Sequence, residues 1–266
     1  LKHKLRLRCS MYWLFIFGEY FLVTGSGKYF RHAIEKTDEV FGIVQIKDGG
    51  NSYQKIWGFK GGGKPTSEFA THLTGHSIRK RQSKGREEVI LHCHPPEFII
   101  LSFLMPLDSS LLSLALWKTM PECIVFFPDG IRVVPPILPG NNKIADASAI
   151  ELEKSRIISW SHHGIFVSEE SPDAVFSLVE TIEKASAMQR KIIAAGGAKQ
   201  TISLQLLREL TDATENIRVC DPDILIMEEK NSKLWFLGRC PMNKKLYLGV
   251  DVGTYETKGV LVDAKG

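Results

Sequence analysis

The sequence predicts an α/β domain with a largely antiparallel sheet covered by helices. Three observations lead to that class. Short apolar runs are joined by hairpin chemistry, as where Asp48-Gly49-Gly50-Asn51 separates residues 40–47 from 53–59. One segment carries a full helical stripe, with Val175, Leu178, Val179, Ile182 and Ala185 lying between a Ser171 cap and Gly196-Gly197. Hairpins and helices are also mixed along the chain, which favours antiparallel strands under helical cover. With 44% hydrophobic and 24% charged residues in a chain of 266, disorder and low-complexity architectures are excluded. A net charge of +4 is no nucleic-acid footprint.

Taken in order, residues 21–23 form a strand that runs into the Gly-rich turn Thr24-Gly25-Ser26-Gly27-Lys28. The 40–47 and 53–59 hairpin follows, and Gly61-Gly62-Gly63 breaks it. Thr66 or Ser67 caps a helix from Glu68 to about Lys80, with its acidic residue in the first turn. A strand over 89–93 ends at His92-Cys93-His94, and Pro95-Pro96-Glu97 opens a helix through Leu104. Residues 124–127 and 131–134 flank Pro128-Asp129-Gly130, a second hairpin signal. Residues 145–154 read as a helix, and 157–160 and 165–167 as strands on either side of His162-His163-Gly164. After the Ser171 helix, Ser203 caps a short one through Leu210.

Both ends differ in character from this core. Residues 1–19 form an atypical leader, in which the basic stretch 2–8 precedes the apolar run 11–17. Seven residues cannot span a membrane, which takes about 20, and no Ala-x-Ala cleavage site follows. Five cysteines with neither zinc-finger nor CxxC spacing indicate a reducing, cytoplasmic setting. The main domain is expected over 20–225, a polar linker over 226–245, and the start of another domain over 246–266.

The sharpest chemical feature is His92-Cys93-His94. On a strand, side chains two apart share a face, so both imidazoles can reach one metal while Cys93 turns into the core. A catalytic metal commonly takes three protein ligands, and His163 leads His162 as candidate for the third. Imidazole suits zinc, iron, copper or nickel. His72 and His76, at i, i+4, share a helix face that lines a cleft or forms a second half-site. Glu68, near a metal, would suit proton exchange with substrate. The 24–28 turn and the helix start at Lys64-Pro65-Thr66-Ser67 are both candidate phosphate sites, since free amides and the helix dipole favour anions.

Taken together, the segment 23–31, Pro65-Thr66-Ser67-Glu68, His92-Cys93-His94, Glu122-Cys123 with Phe127-Pro128-Asp129-Gly130, His163-Gly164, and Gly196-Gly197 with 199–203 resemble the class II (zinc) aldolases, in their rhamnulose-1-phosphate aldolase branch. Motif order is kept from about Tyr20 to Leu210, including 24 residues from Glu68 to His92 and 71 from His92 to His163. The resemblance implies a three-layer αβα fold. It also implies one Zn2+ per subunit on His92, His94 and His163, with Glu68 as acid/base and Glu122 near the active site. Ser26, Gly27, Thr66 and Ser67 would hold the substrate phosphate. The implied reaction is cleavage of L-rhamnulose 1-phosphate to dihydroxyacetone phosphate and L-lactaldehyde, in a homotetramer with no nucleic-acid or membrane partner. Another class II sugar-phosphate aldolase or epimerase, acting on fuculose or ribulose phosphate, and an inactive metal-binding remnant are the alternatives. The family's Asn-rich Gly-Gly loop has no counterpart before Phe21, so a truncated N-terminus is expected. The segments 248–254 and 257–263 resemble the first phosphate-loop hairpin of an FGGY-type sugar kinase, too short to confer kinase activity.

Overall fold

The computed structural model describes residues 2–4, 15–138, 142–213, 224, 246–252 and 257–263. Two compact units are present, Leu1–Lys230 and Asn231–Gly266. In the larger, strands β1 (Lys2–Lys4), β2 (Tyr20–Thr24), β3 (Phe41–Lys47) and β4 (Ser52–Gly58) form an antiparallel ladder in the order β1-β4-β3-β2. A short helix, α1 (Thr37–Val40), leads into β3. The turn after β3 is closed by Asn51 Nδ2 donating to the Asp48 carbonyl at 2.9 Å, with Gly49 at φ 64°. Part of the expected leader belongs to this layer: Lys2–Lys4 pairs with β4, and Ile16 packs with Val44, Ile46 and Leu73. The rest of the leader, residues 5–14, lies outside the described residues.

The second ladder is β5 (Val89–Cys93), β8 (Gly164–Glu169), β7 (Ile157–Trp160) and β6 (Arg132–Val134), in that order. Its pairs are antiparallel except β6 with β7. Helices cover both faces, and the strand period of two divides the core between them. Ile157, Ile165 and Val167 pack with the cluster built from α3 (Pro96–Leu104), α4 (Ser109–Thr119) and α7 (Pro172–Ala194). Ile158, Trp160 and Phe166 pack on the other side with Ile78 of α2 (Phe69–Gln82) and Ile144 and Leu152 of α6 (Asn142–Leu152). The caps expected at Ser171 and Ser203 form, accepting from Ala174 N–H and Leu206 N–H at 3.1 Å each, the second opening α8 (Leu204–Asp212).

Three local readings are corrected. Residues 124–127 are not a strand: Glu122–Phe126 is a helix, α5. Its buried Cys123 and Ile124, with Phe127 at the C-cap, follow a helical spacing, and a short apolar run does not distinguish the two states by periodicity. β6 therefore has no hairpin partner there and joins β7 in parallel instead. Neither Thr66 nor Ser67 caps α2. The Thr66 carbonyl accepts from Phe69 N–H at 3.1 Å, which makes a separate turn and leaves Glu68 at the N-cap. In addition, α4 carries no periodic signal because it is buried nearly all round from Leu112 to Trp117.

β2 and β5 are edge strands of their two ladders, and both line one cleft of about 1610 Å³ that α2 and α7 also border. In the smaller unit, β9 (Leu246–Val252) and β10 (Thr257–Asp263) pair as an antiparallel hairpin. The linker expected over 226–245 and the turn 253–256 lie outside the described residues.

Candidate metal centre

The strand β5 presents its side chains as its period requires. His92 sits opposite Phe166 in the β5–β8 register and so faces the α2 side, while Cys93, opposite Ile165, packs with the other core. Burial raises the Cys93 thiol to about 11 and that of Cys123 to about 12, so neither is a ready thiolate ligand. His94 follows at the strand end. His163 arrives from the three-residue loop of the β7–β8 hairpin, whose turn is closed by His163 N–H donating to the Trp160 carbonyl at 2.9 Å.

These elements bring His92, His94 and His163 together. One ring nitrogen from each lies within 4.8 Å of the others. His92 Nε2 and His94 Nε2 are 3.1 Å apart, close to the roughly 3.4 Å between two nitrogens each about 2.0–2.1 Å from a tetrahedral zinc. His92 Nδ1 lies 2.9 Å from the Ile165 carbonyl, a contact that places its proton there and leaves Nε2 as a lone pair toward the cluster. His163 Nδ1 is buried with no hydrogen-bond partner. Burial lowers all three imidazoles, His92 to about 3, so they are neutral and ready to ligate at neutral pH. Trp160 floors the group, its ring centroid 4.4 Å from that of His92 and 5.3 Å from that of His163. Donor type, spacing and protonation all fit one divalent cation.

His162 is not part of the cluster. Its φ of 63° turns it to Ser102 and Phe103 on α3. His72 and His76 line the cleft on α2, against Phe166 and Phe21. Burial lowers them to about 4 and about 3, the charge of His72 adding to the effect on His76. Glu68 is buried at the N-cap of α2, one turn before His72. The candidate phosphate residues are also gathered. Ser26 N–H donates to the Lys64 carbonyl at 2.9 Å and Thr66 N–H to the Thr24 carbonyl at 2.9 Å, stitching the 24–28 turn to the start of α2. Ser26 and Gly27 are exposed there beside Thr66 and Ser67, and Lys28 makes an ion pair with Glu39 at 3.9 Å. Glu122 stands exposed at the first position of α5, which packs on α4, α7 and α8. Trp160 was not singled out by sequence, because its place against the histidines follows from cross-strand register; Gly164 was named only as the residue after His163.

The family described as Class II Aldolase and Adducin N-terminal domain matches residues 8–190. The chain is 36% identical over 194 residues to a rhamnulose-1-phosphate aldolase of Mannheimia succiniciproducens, spanning 73% of this chain and 71% of that one. It is 38% identical over 188 residues to one from Pectobacterium atrosepticum, spanning 71% and 69%. Among solved structures, a sugar-phosphate aldolase from Thermotoga maritima superposes with a TM-score of 0.60 at 28% identity, over 67% of this chain and 74% of that one. Sequence, fold and the gathered imidazoles agree, and the chain belongs to the class II aldolases, metal-dependent aldehyde-lyases.

Proposed function

We propose that this chain catalyses the reversible aldol cleavage of L-rhamnulose 1-phosphate to dihydroxyacetone phosphate and L-lactaldehyde, with zinc on His92, His94 and His163. The observation that carries the reading is the convergence of three neutral ring nitrogens within 4.8 Å, supplied by two separate segments. The curated relatives bearing that activity in their names support the choice of sugar. A bound divalent cation supplies Lewis-acid polarisation of the substrate carbonyl. The chain's own residues do the rest. As C3–C4 breaks, the C4 hydroxyl gives up its proton to solvent and becomes the aldehyde while Glu68 delivers a proton to C3; in the synthetic direction Glu68 removes that proton from dihydroxyacetone phosphate and the new C4 oxygen takes one from solvent. Ser26, Gly27, Thr66 and Ser67 hold the phosphate where the 24–28 turn meets the turn that precedes α2. No lysine Schiff base is required. Exposed Phe103, Leu104 and Leu107, near the end of α3, support burial by association, in keeping with a homotetramer.

The test is a retro-aldol assay on L-rhamnulose, L-fuculose and L-ribulose phosphates, before and after chelation. Turnover of the first that disappears on chelation and returns with zinc is the expected result. A lysine adduct trapped by borohydride with substrate would overturn the mechanism, and preference for another sugar would overturn the substrate.

A further inference from the structure

The three ring nitrogens come from two segments that are not adjacent in sequence, so something must hold one against the other. Helix α3 is placed to do this. It begins at Pro96, two residues after His94, and its Ser102 reaches the loop that carries His163. Ser102 Oγ donates to the Ile99 carbonyl at 2.7 Å. A hydroxyl has one proton, so its remaining contacts are as acceptor. It accepts from His162 N–H at 3.1 Å and lies within hydrogen-bond distance, 3.1 Å, of His162 Nδ1. The His162 ring also stacks on Phe103, with centroids 4.0 Å apart and planes inclined by 27°.

The backbone at His162 makes these contacts informative. Its φ of 63° lies in the left-handed region, where glycine or asparagine is the ordinary occupant. A histidine held in that conformation has its main-chain N–H and its ring both taken by α3. The next residue is His163, so the backbone angles at 162 aim the third ligand. We propose that Ser102 and His162 form a positioning clasp that fixes His163 opposite His92 and His94, and so set the affinity of the centre for its metal without touching the ion. The inference rests on the reading of the three histidines as ligands.

The experiment measures metal affinity rather than turnover. Metal-free protein is titrated with Zn2+ against a chelating chromophore for the unaltered chain and for Ser102→Ala, Ser102→Thr and His162→Gly. Ser102→Ala should bind zinc about 10-fold or more weaker, the range seen when a residue behind a metal ligand is removed. Ser102→Thr, which keeps the hydroxyl, should restore most of that loss. His162→Gly keeps the left-handed turn and loses the ring, and should also bind more weakly. Cobalt substitution gives a second readout. The visible spectrum should change in Ser102→Ala and return in Ser102→Thr, a response that lost stability alone does not produce. Thermal melts of the metal-free proteins establish that each variant is folded, and should Ser102→Ala fail to fold, His162→Gly carries the test. Folded variants that match the unaltered chain in zinc affinity and cobalt spectrum overturn the clasp. An unaltered chain that binds no metal overturns the ligand reading instead.

Discussion

At Gly164 a single added carbon would meet the Cys93 carbonyl oxygen at 2.4 Å and His94 Cδ2 at 2.8 Å. The first of these is backbone in a paired strand and has nowhere to go, so the glycine is what lets β8 approach the His92–His94 segment. Gly164→Ala should therefore lower both bound metal and turnover about 10-fold or more, at a stability cost of about 1–3 kcal/mol. Metal content and thermal melts check it. Glu68→Gln separates chemistry from binding: it should lower kcat by about 10²–10⁴ with metal content unchanged. Unchanged kcat would remove Glu68 from the reaction. His92 and His94 were legible as a pair because a strand has a period of two. The choice between His162 and His163 stayed open on the residues alone, because a left-handed φ at 162 decides which ring turns inward. That angle is set by contacts with α3, 60 positions away in sequence.

Among the elements, those with caps or turn chemistry were legible and those defined by burial were not. The stripe of α7, its Ser171 cap and the 48–51 turn all express local rules. α5 was misread and α4 passed over, because apolar runs buried on most sides lose the alternation that reports their state. One element junction deserves a quantitative test. Arg79, in the last turn of α2, donates from Nε and Nη2 to Glu87 at 2.8 and 2.9 Å, and from Nη1 to the Leu152 carbonyl at 2.9 Å. This buried pair ties α2 to the lead-in of β5 and to the end of α6, behind the histidine-bearing strand. Removing one partner leaves a charge stranded, so Glu87→Ala should cost about 3–5 kcal/mol. Replacing both, as Arg79→Met with Glu87→Leu, should recover most of that loss in a double-mutant cycle by urea denaturation. An additive cycle would show that the pair is not coupled.

At the scale of the whole molecule, the class of fold was readable from the mixture of turn chemistry and helical stripes. The division of strands into two ladders around one cleft was not, because pairing partners are set by tertiary register. The cleft also has a consequence for stability that the sequence hinted at only through the i, i+4 spacing of His72 and His76. Burial holds both below the ordinary imidazole value of 6.5, at about 4 and about 3. Below pH 6.5 the unfolded chain takes up protons at these positions and the folded chain does not. Stability contributed by the neutral pair is therefore complete above that pH and falls as the solution is acidified toward the folded values. Between pH 7 and pH 5 the loss should be about 1–2 kcal/mol for each histidine, the lower end reflecting their partial contact with solvent. Urea denaturation of the metal-free protein at both pH values measures it, and His76→Leu should flatten the dependence by about one histidine's share. An equal drop in the variant would place the acid sensitivity elsewhere. Metal-loaded protein should lose stability more steeply over the same interval, because protonation of His92, His94 and His163, already opposed by burial in the metal-free chain, then also releases the ion.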